Sequence, residues 1–396
     1  MNASQPKPIA FIDLVAQRQR LGAHIDDAVM GVINSGGFIM GPKVKAFEEA
    51  LAAYAGAKHA LSCANGTDAL ILPMMAWGFG AGDAVFCPSF TFAATGEVMP
   101  LLGATPVFVD IDPVTYNMDP EHLEATILAI KAAGQLAPKA VIAVDLFGQP
   151  ANYPAISAIC QRHGLKLIAD SAQGFGCTLH GHHPLHWANV MTTSFFPAKP
   201  LGCYGDGGAV LTHDAALHEI MDSLREHGKA TASDLAGKTF DHEPKYLNMR
   251  IGMNSRLDAI QAAILSVKLS VFDDEIAARN AVAARYCAHL GNAVTVPQVI
   301  AGGRSTWAQF TIEVPDRDGL AAFARARGVP TAAYYPKPIH TQAVYAGYPT
   351  GPGGLPVSEA KADRVLSLPM HPYLDTATQD HIIATVTEYV AGASVA

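Results

Sequence analysis

The sequence predicts an α/β fold, a mostly parallel sheet covered by helices, with a smaller α+β unit after it. Short apolar, β-branched runs alternate with helical stretches through the first part of the chain, and the runs are apolar throughout instead of alternating. Strands of that kind are buried on both faces, as in parallel sheets flanked by helices. The pattern then changes after about residue 255.

Residues 13–35 and 42–55 carry helical periodicity, the second stretch starting on Pro42 and stopping at Gly56. Proline inside the start and glycine past the end is the usual asymmetry of helix termini. AVFC (84–87), TPVFVDI (105–111), AVIAVDL (140–146), KLIAD (166–170), VMTTSFF (190–196) and GGAVLTH (207–213) read as strands. DPEHLEATILAIKAA and YPAISAICQRHG are helices between them. A long helix over roughly 256–291 is expected to hinge the two units. After it come an isolated strand WAQFTIEV (307–314), a helix near 317–327, a loop with three prolines and a closing helix from about 375. The glycine-rich AGYPTGPGG (346–354) reads as an exposed loop. The expected division is residues 1–255 and 256–396.

Of the 396 residues, 27 are Lys or Arg and 35 Asp or Glu, a formal net charge of -8, and 50% are hydrophobic. Such a chain buries a large core. Without a basic block it lacks the clustered positive charge that nucleic acid or an anionic membrane requires. A phosphorylated small molecule stays within reach, since backbone N–H groups at helix termini hold phosphate. The cysteines (Cys63, Cys87, Cys160, Cys177, Cys203, Cys287) show no CxxC spacing and read as reduced, mostly buried thiols. No basic stretch followed by an apolar one opens the N-terminal MNASQPKPIAFIDL, and the longest near-apolar run, 69–82, is too short to span a bilayer. A soluble, cytoplasmic protein is the expectation.

Three segments carry chemistry. SFFPAKPLGCYGDGGAV (194–210) puts Lys199 directly beyond a buried strand. Taken alone, that lysine reads first as a surface charge. IADSAQGFG (168–176), however, puts Asp170 at the carboxyl end of a strand, where open α/β sheets bind ligands. CANGTDAL (63–70) opens a helix with Gly66 and Thr67 at its N-terminus, an anion site. A phosphate cradle, a strand-end carboxylate and a strand-end lysine together are what pyridoxal phosphate (PLP) chemistry needs: an amine to bond the cofactor aldehyde, and a carboxylate to keep the pyridine nitrogen protonated. The His-rich LHGHHPLH (179–186) has no helical i, i+4 pair and no cysteine partner, and reads as a solvated turn, not a metal site.

With these residues in place the chain resembles the sugar-nucleotide aminotransferases of the DegT/DnrJ/EryC1/StrS family. The motifs, in order, are FIMGPKVKAFEEALAAYAG, CANGTDAL, PSFTFAATG, VDIDPVTYNMDP, DSAQGFG, SFFPAKPLGCYGDGG and GMNSRLDAIQAAIL. The resemblance covers essentially the whole chain. It implies the PLP-dependent transferase fold type I, with a seven-stranded sheet in the large domain, and Lys199 as the Schiff-base lysine. It also implies that Asp170 pairs with the pyridine nitrogen, Gln173 with the phenolic oxygen, and Gly66, Thr67 and Ser194 with the phosphate. Phe92 would stack on the ring. Asn254 would reach the phosphate of a neighbouring subunit, which makes the protein a homodimer with composite sites.

Within the family the resemblance is nearest to UDP-2-acetamido-2-deoxy-3-oxo-glucuronate aminotransferases, which aminate C3 at the expense of L-glutamate. It implies substrate contacts from Arg256 and from His227 of the EHG turn. Two departures stand out. Tyr334 replaces a histidine just before Tyr335, offering a neutral hydroxyl where a positive charge was available. The segment 229–248 is longer than usual. The sugar is therefore left open between a uronate and a form neutral at C6, the nucleotide between UDP and dTDP, and the site between C3 and C4. A dehydratase would carry histidine at Lys199, a non-catalytic sensor would have lost the lysine, and no GxGxxG supports an NAD enzyme.

Overall fold

The computed structural model describes residues 8–238, 243 and 246–393. Its strands are β1 His59–Cys63, β2 Asp83–Pro88, β3 Thr105–Val109, β4 Ala137–Val144, β5 Lys166–Asp170, β6 Thr178–Leu179, β7 Val190–Ser194, β8 Gly208–Thr212, β9 Gly303–Arg304, β10 Phe310–Glu313 and β11 Val365–Leu368. Its helices are α1 Leu14–Leu21, α2 Ala23–Ser35, α3 Pro42–Ala55, α4 Gly66–Ala76, α5 Ala93–Leu101, α6 Pro120–Ala133 and α7 Tyr153–His163. They continue with α8 Ala215–Leu224, α9 Ala232–Leu235, α10 Ala259–Leu269, α11 Phe272–Leu290, α12 Arg317–Ala326, α13 Pro356–Ala362 and α14 Thr376–Ala393.

Seven strands form one sheet in the order β1-β8-β7-β5-β4-β2-β3. The pairs from β7 outward to β3 are parallel, while β8 is antiparallel to both β7 and β1. Strand alternation divides the core. Leu61, Val85, Ile142, Ile168, Val190 and Val210 pack with α4, α5 and α8 on one face. Phe86, Val107, Val141, Leu167, Met191 and Leu211 pack with α3, α6, α7 and α10 on the other. Successive residues point to opposite faces of a strand, so only a strand apolar at every position can serve both.

Helix ends follow their local chemistry. Asn65, Asp119, Asn152 and Asp214 cap α4, α6, α7 and α8 with their side chains, and α3, α6 and α7 end on left-handed glycines. Both devices satisfy groups that a helix terminus leaves without partners.

Four expectations are corrected. The strand β1 was not anticipated. HALSC has little strand propensity of its own and becomes a strand because β8 pairs along its whole length. The long helix over 256–291 is two helices, interrupted at Ser270 and Val271. There Val271 leaves the helical region, and Asp273, Asp274 and Glu275 fill the first turn of α11, a favourable place for negative charge. The strand in WAQFTIEV is not isolated: Phe310–Glu313 pairs antiparallel with β11. Together with α11, α12 and α14 this ribbon builds a separate apolar cluster around Tyr286, Phe310, Ile312, Leu320 and Val386. Finally, the loop 346–354 is exposed only in part. The Phe108 N–H donates to Pro349 O at 2.9 Å and the Gly351 N–H to Phe108 O at 3.0 Å, so the loop covers the edge of the sheet at β3.

Candidate functional site

The parallel strands β4, β5 and β7 bring their carboxyl ends to one edge of the sheet, and the functional candidates collect there. β5 ends on Asp170 and β7 on Ser194. α4 starts where its backbone meets Ser194: a Cβ on Gly66 would lie 2.7 Å from the Ser194 Cβ. Behind it, a Cβ on Gly208 would lie 2.3 Å from Asn65 O. Glycine at both positions lets the first turn of α4 sit against two strand ends. Asn65 Oδ1 takes the Asp68 N–H at 2.8 Å. The amides of Gly66 and Thr67 precede it in the turn, where an α-helix has no acceptor of its own. The Ser194 Oγ accepts the Phe196 N–H at 3.3 Å.

Asp170 is buried. Its Oδ2 accepts from the Thr95 hydroxyl at 3.0 Å and its Oδ1 from the Ala172 N–H at 3.2 Å. Burial pushes its pKa up, against the pull of those two donors and of the Lys199 charge. Lys199 lies in the turn after β7, its own N–H donating to Phe196 O at 2.8 Å. Burial holds its amine below the ordinary lysine range, and the Asp170 charge pulls it partly back. The turn is clamped from below. Lys268 Nζ, on α10, donates to Gly202 O at 2.6 Å, Gln261 Oε1 accepts the Tyr204 N–H at 2.9 Å, and the Cys203 N–H reaches Phe195 O at 2.7 Å.

Gln173 is fixed in orientation. Its Oε1 accepts the Phe147 N–H at 2.8 Å, so its Nε2 faces the site, where it donates to the Tyr335 hydroxyl at 2.9 Å. The rings of Phe92, itself 55% exposed, and Tyr335 lie 6.3 Å apart. Tyr334 is sandwiched between Tyr335 at 5.7 Å and Phe11 at 6.2 Å. Beneath Asp170, the buried Asp145 accepts from Ser171 Oγ at 2.5 Å, Tyr153 OH at 2.7 Å and the Ala151 N–H at 3.0 Å. Burial raises its pKa to about 7 in spite of these donors.

The structure thus gathers Gly66, Ser194, Asp170, Lys199, Gln173, Tyr335 and Phe92 at one edge. Asn254 and Arg256 flank Ser255, whose Oγ accepts the Ala64 N–H at 3.2 Å next to the start of α4, and His227 pairs with the same segment through its N–H to Met253 O at 2.9 Å. His227 is exposed at the end of a turn that Arg225 anchors through Glu48 at 2.6 Å and Asp222 at 2.7 Å. Asn254 bridges to Glu226, and the buried Ser255 Oγ donates to Asp68 Oδ2 at 2.7 Å. Among the described residues no hydrogen bond or ion pair joins the side chains of His227, Asn254 and Arg256 to Asp170, Lys199 or Gln173, and the Arg256 guanidinium has no protein partner. In the segment 229–248, residues 239–242, 244 and 245 lie outside the described residues. What precedes them is tied down, with Arg250 holding Asp234 through two nitrogens at 2.9 Å.

Two contributors went unnoticed in the sequence. Thr95, inside PSFTFAATG, supplies a donor to Asp170, and Phe147 supplies the N–H that orients Gln173. Thr95 was visible as the only hydroxyl in the first turn of α5. The Phe147 contact is made by backbone, which no residue type announces. The His-rich turn stacks His182 on His186 at 4.2 Å, and His183 Nδ1 donates to Cys177 O at 3.1 Å. Among the described residues no helix is long and apolar enough to cross a membrane.

The model of the DegT/DnrJ/EryC1/StrS aminotransferase family matches residues 19–387. The chain is 44% identical to a UDP-2-acetamido-2-deoxy-3-oxo-D-glucuronate aminotransferase of Pseudomonas aeruginosa, over 96% of this chain and 99% of that protein. It is 38% identical to a UDP-N-acetyl-3-dehydro-alpha-D-glucosamine 3-aminotransferase of Acidithiobacillus ferrooxidans, over 94% and 95% of the two chains. A crystal structure of a DegT DnrJ EryC1 StrS aminotransferase from Brucella abortus matches with a TM-score of 0.92 and 50% identity, covering 96% of this chain and 99% of that one.

Proposed function

This chain is a member of the DegT/DnrJ/EryC1/StrS aminotransferase family, with the PLP-dependent transferase fold type I, and from that premise we propose that it moves the amino group of L-glutamate to C3 of a 3-oxo UDP-2-acetamido sugar. The observation that carries the reading is a buried amine, Lys199, beside a buried carboxylate, Asp170, in a chain alike over its whole length to an enzyme of that chemistry.

The cofactor of the family is PLP. The residues fit it: the buried Asp170 carboxylate accepts only a hydroxyl and an amide hydrogen bond, and a protonated ring nitrogen would give it the cation that a buried carboxylate calls for. When bound, PLP supplies an electron sink for a carbanion at the carbon that loses or gains the amino group. The protein's residues do the rest. Asp170 would hold a proton on the ring nitrogen. The Gln173 Nε2 would donate to the phenolic oxygen, Gly66, Thr67 and Ser194 would hold the phosphate, and Phe92 would pack on the ring. Lys199 Nζ carries the proton between carbon and nitrogen in both halves of a ping-pong cycle. Burial lowers its pKa from the ordinary lysine range, which moves the amine toward the range in which a group can both take and give a proton.

His227, Asn254 and Arg256 act across a homodimer interface in this reading, each serving the partner's site. Arg256, unpaired among the described residues, suits a carboxylate or a pyrophosphate, which its planar fork can hold through paired hydrogen bonds. A cytoplasmic enzyme with residues 1–255 as the cofactor-binding domain and 256–396 as the smaller one completes the proposal.

A single-turnover assay tests it. Protein loaded with the amino form of the cofactor is offered 3-oxo UDP-N-acetylglucosamine and the matching 3-oxo uronate, and the return of the cofactor to its aldehyde form is followed by absorbance. Conversion with either sugar supports C3 amination. Conversion with neither, but with a 4-keto sugar nucleotide, overturns it.

A further inference from the structure

We infer that Thr95 is a positioning residue that keeps a proton on the cofactor ring nitrogen, acting through Asp170; this rests on the aminotransferase reading above, with Asp170 paired to that nitrogen, and deepens it. Thr95 and Asp170 are both buried, and the Thr95 hydroxyl donates to Asp170 Oδ2 at 3.0 Å. The other carboxylate oxygen takes the Ala172 N–H at 3.2 Å. Among the described residues the hydroxyl is thus the only side-chain donor hydrogen-bonded to this carboxylate.

A threonine in a helix ordinarily bonds to nearby backbone. Thr126, Thr385 and Thr387 do so, each donating to the carbonyl four residues back, at 2.6, 2.8 and 2.9 Å. Thr95, in the first turn of α5, spends its hydrogen on a carboxylate 75 positions away instead. A hydroxyl has one hydrogen to give. The 3.2 Å contact between the Thr91 and Thr95 oxygens is therefore a donation from Thr91, and the two hydroxyls form a directed chain that ends on Asp170. Each bond in such a chain polarises the next. The Thr95 N–H also donates to Phe92 O at 3.2 Å, so one short piece of backbone carries both the donor to Asp170 and the residue proposed to pack on the ring.

A pyridine nitrogen and a carboxylate that face each other share one proton, and its place follows their relative proton affinities. Burial raises the affinity of Asp170, and donors to its charged form lower it. Without the Thr95 hydroxyl the proton moves from the ring nitrogen toward the carboxylate, and both groups approach neutrality. A neutral ring is the weaker electron sink. The titratable groups that feel the Asp170 charge are Lys199, Asp145, Tyr153 and Tyr335. Among the described residues Thr95 hydrogen-bonds to none of these, so its replacement acts on the proton through Asp170 alone.

The test loads wild type, Thr95→Ser, Thr95→Cys and Thr95→Val with cofactor carrying nitrogen-15 in the ring. The chemical shift of that nitrogen in the holoenzyme reports its protonation without turnover. The half-reaction with L-glutamate is also timed in a single turnover, with the natural cofactor and with its deaza analogue, which has carbon in place of the ring nitrogen. In Thr95→Val the shift is expected to move toward the unprotonated value. The half-reaction should slow about tenfold at unchanged glutamate affinity, and the deaza analogue should show no such slowing. Thr95→Ser should stay near wild type, while Thr95→Cys, one atom different and a weak donor, should side with Thr95→Val. If Thr95→Val does not fold, the contrast between serine and cysteine decides. A ring nitrogen unmoved by the loss of the hydroxyl would leave Thr95 a packing tie between α5 and β5, and equal slowing with the deaza analogue would assign the loss to packing; each overturns the inference. Wild type with an unprotonated ring nitrogen and a fast half-reaction removes the role of Thr95 while the aminotransferase reading stands. Wild type that takes no amino group from L-glutamate removes both.

Discussion

At Lys199 and Asp170 the chemistry rests on opposed shifts. Burial disfavours charge on both, and each charge favours the other. Lys199→Ala is expected to leave a folded protein whose turnover falls by at least about 10²–10⁴-fold, the usual worth of a positioned acid–base group; retained turnover in a half-reaction assay would remove the lysine from its role. Asp170→Asn takes away the charge that raises the Lys199 pKa. The amine should then titrate lower, visible as a downward shift in the pH at which the cofactor-free protein is labelled by an amine-specific reagent. Asp145 gives a stability prediction with a defined sign. Its carboxyl titrates at about 7 in the fold against about 3.9 in an unfolded chain. The folded state therefore binds more protons between those values, and the contribution is fully present below about pH 4 and lost as pH rises through 7. The thermal stability of wild type relative to Asp145→Asn should fall from pH 5 to pH 8; a constant difference would contradict the shift.

Elements convert these residues into a site by close approach. Gly66→Ala would place a Cβ 2.7 Å from Ser194 Cβ, below any normal contact, so the start of α4 must separate from the end of β7. The expected outcome is a folded protein with weakened cofactor retention, measured by dialysis and absorbance. The clamp beneath Lys199 is a second case. Lys268 is 2% exposed and spends its ammonium on the Gly202 carbonyl. Lys268→Ala leaves that buried acceptor unpaired and should destabilise the protein by about 2 kcal/mol in denaturant unfolding. Much of this was legible beforehand. Pro42 and Gly56 bound α3 as read, and five of the six anticipated sheet strands run parallel to at least one neighbour. What was not legible has a common cause. HALSC, VLSL and the middle of the loop 346–354 take strand-like pairing from a partner distant in sequence, and four or five residues without strong propensity carry no such signal of their own.

For the whole molecule, the largest consequence attaches to His227, Asn254 and Arg256, whose side chains, among the described residues, share no hydrogen bond or ion pair with Asp170, Lys199 or Gln173. If these residues serve a partner's site, Lys199→Ala and Arg256→Ala proteins, each inactive alone, should regain activity when unfolded together and refolded as mixed dimers. About a quarter of the sites would then be intact. No regain would place Arg256 outside the site. Sequence by itself determined the alternation of helices with six of the sheet strands, the family motifs and the residue types of the chemistry, because periodicity, caps and a strand-end Lys and Asp are local properties. Only the tertiary structure decided the donors to Asp170, the orientation of Gln173 by the Phe147 amide and the clamp of Lys268 on Gly202. Those contacts join residues 75, 26 and 66 positions apart, and their geometry exists only once the sheet has brought the segments together.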